Sequence, residues 1–161
     1  MNVRPKRCGF TLVEIMVVVF VVGVLAMLAR EAMGRINLHA RAAAYVNDCR
    51  VFGAAFTQYA QEKGGYPPDG GPHFLPAGMA EYLNRTQWLR PTPLGGNYDW
   101  DNIDSWTAYP EKLKAAIAVA GCTLTLAELR QIDVWFDDGN VATGNLRVTN
   151  AGATVIYVVE R

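Results

Sequence analysis

Hydrophobic and polar positions divide the chain into three stretches. Phe10 to Ala29 is apolar apart from Thr11, Glu14 and Gly23. Twenty helical residues rise roughly 30 Å, the hydrocarbon thickness of a bilayer, so this stretch predicts a membrane-spanning helix. Residues 30 to 62 are mixed, and rich in the helix formers Ala, Arg, Leu, Gln and Glu. Tyr45, Cys49, Phe52, Phe56 and Tyr59 recur there at steps of four, three, four and three, which sets them on one helical stripe. Arg41, Asp48 and Glu62 lie off it. No proline occurs between Pro5 and Pro67, so the pattern predicts one helix that starts as an apolar rod and ends as an amphipathic strut. Gly64-Gly65 ends it and Pro67-Pro68 prevents its resumption.

Residues 63 to 161 read as a compact head. Its first part, Gly64 to Asp104, is loop-rich, with a short helix expected at Ala77 to Leu83. The run from Gly95 to Asp101 leads into a strand. Pro110 to Gly121 supports two readings: Pro at a first helical position and Gly at the end suit a helix, whereas Ala115 to Ala120 suits a buried strand. Thr125 with Glu128 reads as a capping box, opening a helix that buries Leu129, Ile132 and Phe136. Leu146 to Thr149 and Thr154 to Val159 flank Asn150-Ala151-Gly152, a hairpin signal.

Charge sharpens this picture. Lys and Arg number 15, as do Asp and Glu. The zero balance gives no support for nucleic-acid binding through bulk charge. Arg4, Lys6 and Arg7 crowd the N-terminus, and residues 15 to 29 carry no charge. Basic residues before an apolar span keep that end in the cytoplasm and send the rest across. Glu14 is the exception inside the span. An acid deep in a transmembrane helix costs roughly 2.5 to 3.5 kcal/mol, less near the interface, so it is either a snorkelling acid or one that awaits a cationic partner.

The run Lys6-Arg7-Cys8-Gly9-Phe10-Thr11-Leu12-Val13-Glu14 resembles the signal of type IV prepilins and of the pseudopilins of type II secretion: a basic leader, a Gly, then Phe-Thr-Leu-x-Glu before an apolar helix. The resemblance implies an α+β, pilin-like fold, in which a long N-terminal helix continues into a small head with an antiparallel sheet packed on it. It implies a leader over residues 1–9, a long helix over 10–62 and a periplasmic head over 63–161. Prepilin peptidase would cut between Gly9 and Phe10, and Phe10 would be N-methylated. Glu14 would meet the Phe10 amine of a neighbouring subunit during assembly. The implied partners are identical or related pilin subunits, the peptidase and an inner-membrane assembly platform. The implied place is the inner membrane, single-pass, and then a filament.

Two features depart from the family. Many type IV pilins carry a proline about twenty residues into the mature chain, and here Glu31 occupies that region, which leaves the interval from Gly23 to Gly34 as the place where the helix would melt in a filament. The Asp-Pro-Trp-Gly-x-Pro run of the main pseudopilin is replaced by Pro93-Leu94-Gly95-Gly96-Asn97-Tyr98-Asp99-Trp100. The short head and the lack of a C-terminal cysteine pair lean toward a pseudopilin, with a type IV pilin, major or minor, as the alternative. A membrane-tethered periplasmic binding module that never polymerises is the reading from another class. A secretory signal peptide fits less well, because its Ala40-Arg41-Ala42 site falls ten residues beyond the apolar run.

Candidate chemistry in the head is sparse. No GxSxG, HExxH or P-loop pattern occurs, so no catalysis is expected. Loss of the leader removes Cys8 and leaves Cys49 and Cys122, so any disulfide joins those two; the bland reading is two buried thiols. Asp99, Asp101 and Asp104 form one acidic cluster, and Asp137, Asp138 and Asn140 another. Neither has the spacing of an EF-hand loop, and Asp137-Asp138-Gly139-Asn140 also suits a plain turn after a helix. Some pseudopilins bind calcium in the head, so the resemblance keeps these carboxylates as calcium candidates; no other cofactor is expected. Trp88, Trp100, Trp106 and Trp135 read as core.

Overall fold

The computed structural model describes residues 11–102, 113–149 and 154–161. Three expectations lie outside them: the leader with the Gly9–Phe10 junction, the segment holding Asp104, Trp106 and Pro110, and the Asn150–Gly152 turn.

Helix α1 runs unbroken over Leu12–Lys63, through Gly23 and Gly34. It closes at Gly64, whose amide bonds to the Ala60 carbonyl and whose φ is 81°. The chain divides into two compact units within this helix, Met1–Asn37 and Leu38–Arg161. The expected head boundary at residue 63 follows the end of the helix, whereas compactness follows burial, and burial starts at Leu38. In the first unit the described residues form helix alone, and Leu12 to Arg30 are all exposed.

In the second unit, four antiparallel strands form one sheet in the order β1-β2-β4-β3: β1 Asn97–Asn102, β2 Ala115–Ala120, β3 Leu146–Thr149 and β4 Thr154–Glu160. Register sets Trp100 opposite Ile117, Ile117 opposite Tyr157, and Leu146 opposite Tyr157, so these side chains share one face. Tyr98, Trp100, Ile117, Val119, Leu146 and Val155 on that face join one core with Tyr45, Cys49, Phe52 and Phe56 of α1. Phe56 stacks on Trp100 with ring centroids 3.6 Å apart, and Phe52 meets Trp88 and Tyr98 edge-on. The buried indoles are also satisfied as donors: Trp88 Nε1 bonds the Phe74 carbonyl at 2.7 Å, and Trp100 Nε1 the Pro67 carbonyl at 3.1 Å. Pro67 and Phe74 are thereby tied to the core although their segment has no regular structure.

The other sheet face buries Leu113, Ala116, Ala118, Ile156 and Val158. Strand β2 is therefore covered on both sides, and its side chains are apolar without alternation. This resolves the ambiguity over Ala115–Ala120 in favour of a strand. Gly96, at φ 72°, admits the chain to β1: a Cβ there would run into the Ala120 carbonyl.

Two expectations change. The helix expected at Ala77 to Leu83 is a single 3-10 turn, Met79–Glu81, entered through Gly78 in the left-handed region. Helix α2, Arg85–Trp88, was not anticipated; the Asn84 side chain caps it by accepting from the amides of Thr86 and Gln87. Helix α3, Leu126–Phe136, keeps its expected capping box, with Thr125 accepting from the Glu128 amide and Glu128 accepting from the Thr125 amide at 2.8 Å.

Candidate functional site

The N-terminal segment is built by one local device. Thr11 is the first described residue. Its carbonyl accepts from the amides of Glu14 and Ile15, and its Oγ1 accepts from the Glu14 amide at 3.2 Å. The helix thus begins directly after the Gly9–Phe10 junction, with Glu14 exposed in its first turn. Around and beyond Glu14, Leu12, Val13, Ile15, Met16, Val18 and Phe20 are exposed, Phe20 by 72%. An apolar surface that extends over five helical turns exceeds what a soluble monomer leaves in water. A carboxylate on such a surface then needs a partner, and among the described residues no ion pair includes Glu14.

The head brings together two groups of carboxylates. Asp99 and Asp101, on the β1 face away from α1, come within 4.8 Å of Asp69 and of each other. Burial, then Asp101 and Asp69, pushes Asp99 up to about 7; burial, then Asp69, pushes Asp101 up to about 6. Asp137 and Asp138 meet Asp133 of α3, a residue that the sequence reading did not single out. Burial and the two neighbouring acids push Asp133 up to about 6. Asn140 turns away from that group: its Oδ1 accepts from the Ala142 amide.

Cys49 and Cys122, the pair that any disulfide would join, are free thiols in this structure. Cys49 is fully buried on the core stripe beside Tyr45, and its thiol is pushed well up by that burial. Cys122 is half-buried and donates to the Leu94 carbonyl at 3.5 Å.

Residues 4–29 match the family model described as the prokaryotic N-terminal methylation motif. The chain carries a type IV prepilin-like N-terminal segment. Its fold is that of a type IV pilin: the major type IV pilin PilA1 from Clostridium difficile superposes with a TM-score of 0.52 at 16% identity, over 79% of this chain and 98% of that one. No curated protein matches the chain. Among the described residues one helix, Leu12–Lys63, is long and apolar enough to cross a membrane.

In this prepilin-like chain, sequence reasoning missed the polar ties of the strut. Asp48 lies off the aromatic stripe, yet it accepts from Tyr98 Oη at 2.6 Å and pairs with Arg90 at 2.5 Å. Arg41 donates to the Pro93 carbonyl at 2.7 Å. Both ties fasten α1 to β1 and the loop leading into it. Their partners lie 42 to 52 residues away, and no local pattern in the sequence signals a contact at that distance.

Proposed function

We propose that the chain is the structural subunit of a pilus-like filament. Prepilin peptidase cuts between Gly9 and Phe10 on the cytoplasmic side, Phe10 is N-methylated, and the subunit waits in the inner membrane with its head in the periplasm. An inner-membrane platform then moves it into a helical polymer of identical or related subunits. The observation that carries this reading is Glu14: a lone acid, four residues after the new N-terminus, on an apolar helix with no cover of its own. A freed α-amine at Phe10 would be only four residues back along the same chain, and a neighbour shifted along the filament axis presents its own amine more naturally. A subunit in the wrong register leaves a carboxylate unpaired among apolar helices, at a cost of several kcal/mol. A tether that never polymerises gains nothing from such an acid. A secretory cut after Ala42 is disfavoured, because Ala42 is buried within α1.

Within this class the type II secretion pseudopilin is the reading we favour, since the head has no cysteine after Cys122 to close a C-terminal loop. The type IV pilin reading draws on the missing Asp-Pro-Trp-Gly-x-Pro run. Deleting the gene separates them: a pseudopilin is needed for enzyme release across the outer membrane, a pilin for surface fibres. The test of the filament itself is Glu14→Ala. Sheared-filament yield should fall by at least tenfold while processed subunit stays at the wild-type level in the membrane. Normal yield contradicts the register role.

A further inference from the structure

The loop between α1 and β1 holds one aromatic side chain out of the core. Of the Phe, Tyr and Trp side chains described in the second unit, Phe74 alone is exposed, by 67%. A single exposed hydrophobic residue means little by itself. Phe74 differs because its backbone is fixed. The turn Gly71-Pro72-His73-Phe74 has Pro second and a φ of 64° at His73, the position that glycine ordinarily takes in a type II turn. Such a φ at another residue persists only where the surroundings impose it. Here four hydrogen bonds do so. The Gly71 amide bonds Asp69 Oδ1 at 3.0 Å, the Phe74 amide the Gly71 carbonyl at 3.4 Å, and the His73 amide the Tyr98 carbonyl at 3.0 Å. Trp88 Nε1 donates to the Phe74 carbonyl at 2.7 Å. The ring is therefore a rigid knob, and little conformational freedom is lost when a partner buries it.

A groove of about 330 Å³ opens on the other flank of α1. Arg50, Gly53 and Thr57, at steps of three and four, form its α1 wall, and Asn145, Tyr157 and Val159 line the sheet side. Gly53 supplies the room, because α1 presents no side chain between Arg50 and Thr57 along that wall. The knob sits off the free edge of β1, whereas the groove lies beside β4 and the loop into β3. Trp88, which holds Phe74, meets Phe52 and Phe56, so knob and groove flank the same turns of α1. The groove suits an aromatic ring: Val159 offers apolar contact, Tyr157 a ring, and Arg50 a guanidinium to lie on a ring face. Arg50 is exposed, and neither ion pair among the described residues includes it. Charge agrees. Beside the knob, Asp69, Asp99 and Asp101 crowd within 4.8 Å of one another. Beside the groove stand Arg50 and Arg161, which reaches Asn145 Oδ1 at 3.4 Å. The acids on that side are engaged, Asp137 by the Asn145 and Leu146 amides and Glu160 by Lys114. Setting knob to groove brings an acidic flank against a basic one.

We propose that Phe74 of one subunit seats in the groove formed by Arg50, Gly53 and Tyr157 of a neighbouring copy of this chain. Knob and socket lie on different faces, so each copy keeps one of each free for the next. A contact of that kind builds an open helix wherever its rotation does not close a ring. The inference rests on the filament reading and adds to it: Glu14 acts between the apolar helices, Phe74 between the heads.

The test places a photoreactive benzophenone side chain at position 74 of the full chain in its native cells. Light should join subunits into dimers and longer ladders. The adducts should map to tryptic peptide 51–63 or 148–161 of the neighbouring copy, which hold Gly53 and Thr57, and Tyr157 and Val159. Where the bulky benzophenone blocks assembly, smaller substitutions decide. Phe74→Ala should cut sheared-filament yield about tenfold or more, with processed subunit unchanged in the membrane, and Phe74→Tyr should keep the yield. Arg50→Glu should cut it as far. Normal yield from Phe74→Ala or Arg50→Glu overturns the contact. Because Phe74 is exposed, the Ala variant should melt at the wild-type midpoint; a fall of several degrees assigns the ring to its own head and is equally contrary. Wild-type filaments whose adducts map elsewhere, or that give none, overturn the contact and leave the filament reading standing. Native cells without filaments remove that reading, and the contact with it.

Discussion

Glu14 has two roles that substitution separates. Its amide helps to close the first turn on Thr11, and a Thr-x-x-Glu spacing is also that of a capping box. An acid in a first turn also gains about 0.3 to 1 kcal/mol from the helix dipole. Glu14→Gln keeps a side chain able to cap but removes the charge. If charge pairing sets register, the Gln variant should lose sheared filaments as fully as Glu14→Ala, again with processed subunit unchanged. Recovery of filaments by Gln would assign the residue to helix capping. The sequence made Glu14 legible because it breaks an uncharged run. It hid Asp48 and Asp133, because each looks like an ordinary polar residue on a helix until its tertiary surroundings are known. Cys49 and Cys122 illustrate the converse: elimination named the only pair available, but Cys49 faces Tyr45 in the core and both thiols remain free.

Among elements, those with a local cap or a clean period were readable. The stripe from Tyr45 to Tyr59 is buried through Phe56 and half-buried at Tyr59, and α3 starts at its capping box. Thr125→Ala should therefore lower head stability by about 1 kcal/mol, measured as a shift in denaturant midpoint at constant slope. Phe56→Ala, which removes the ring stacked on Trp100, should cost about 3 to 5 kcal/mol in the same experiment. The elements that were missed or ambiguous have physical reasons. Strand β2 is buried on both faces, so it lacks the alternation that identifies a strand. Helix α2 has four residues, too few for a period, and only its Asn84 cap marks it. The turn at Met79–Glu81 sits between Gly78 and Asn84, and neither neighbour lets a longer helix form.

For the whole molecule, the two halves of α1 answer to different surroundings, and pH acts on the head. Burial, then Asp101 and Asp69, pushes Asp99 up to about 7 in the folded head, and burial, then Asp69, pushes Asp101 up to about 6, both above the usual Asp value of 3.8. Between those values the folded state binds more protons than the unfolded chain, so stability falls as pH rises and grows as pH falls from about 8 to about 5. Below that range Glu128, held low by Thr125, opposes further gain. In chelator, the melting midpoint should rise by several degrees from pH 8 to pH 5, and Asp99→Asn should flatten the upper part of the curve; a midpoint that falls steadily with acid would refute these shifts. The first unit poses the larger question, since its apolar helix is exposed from Leu12 to Arg30. The prepilin-like motif over residues 4–29 makes a definite statement about how that helix begins. Mass spectrometry of the N-terminal peptide of the chain from its native cells addresses it directly. The account predicts a peptide that starts at N-methylated Phe10; a chain that starts near residue 43, or that keeps residues 1–9, would contradict it.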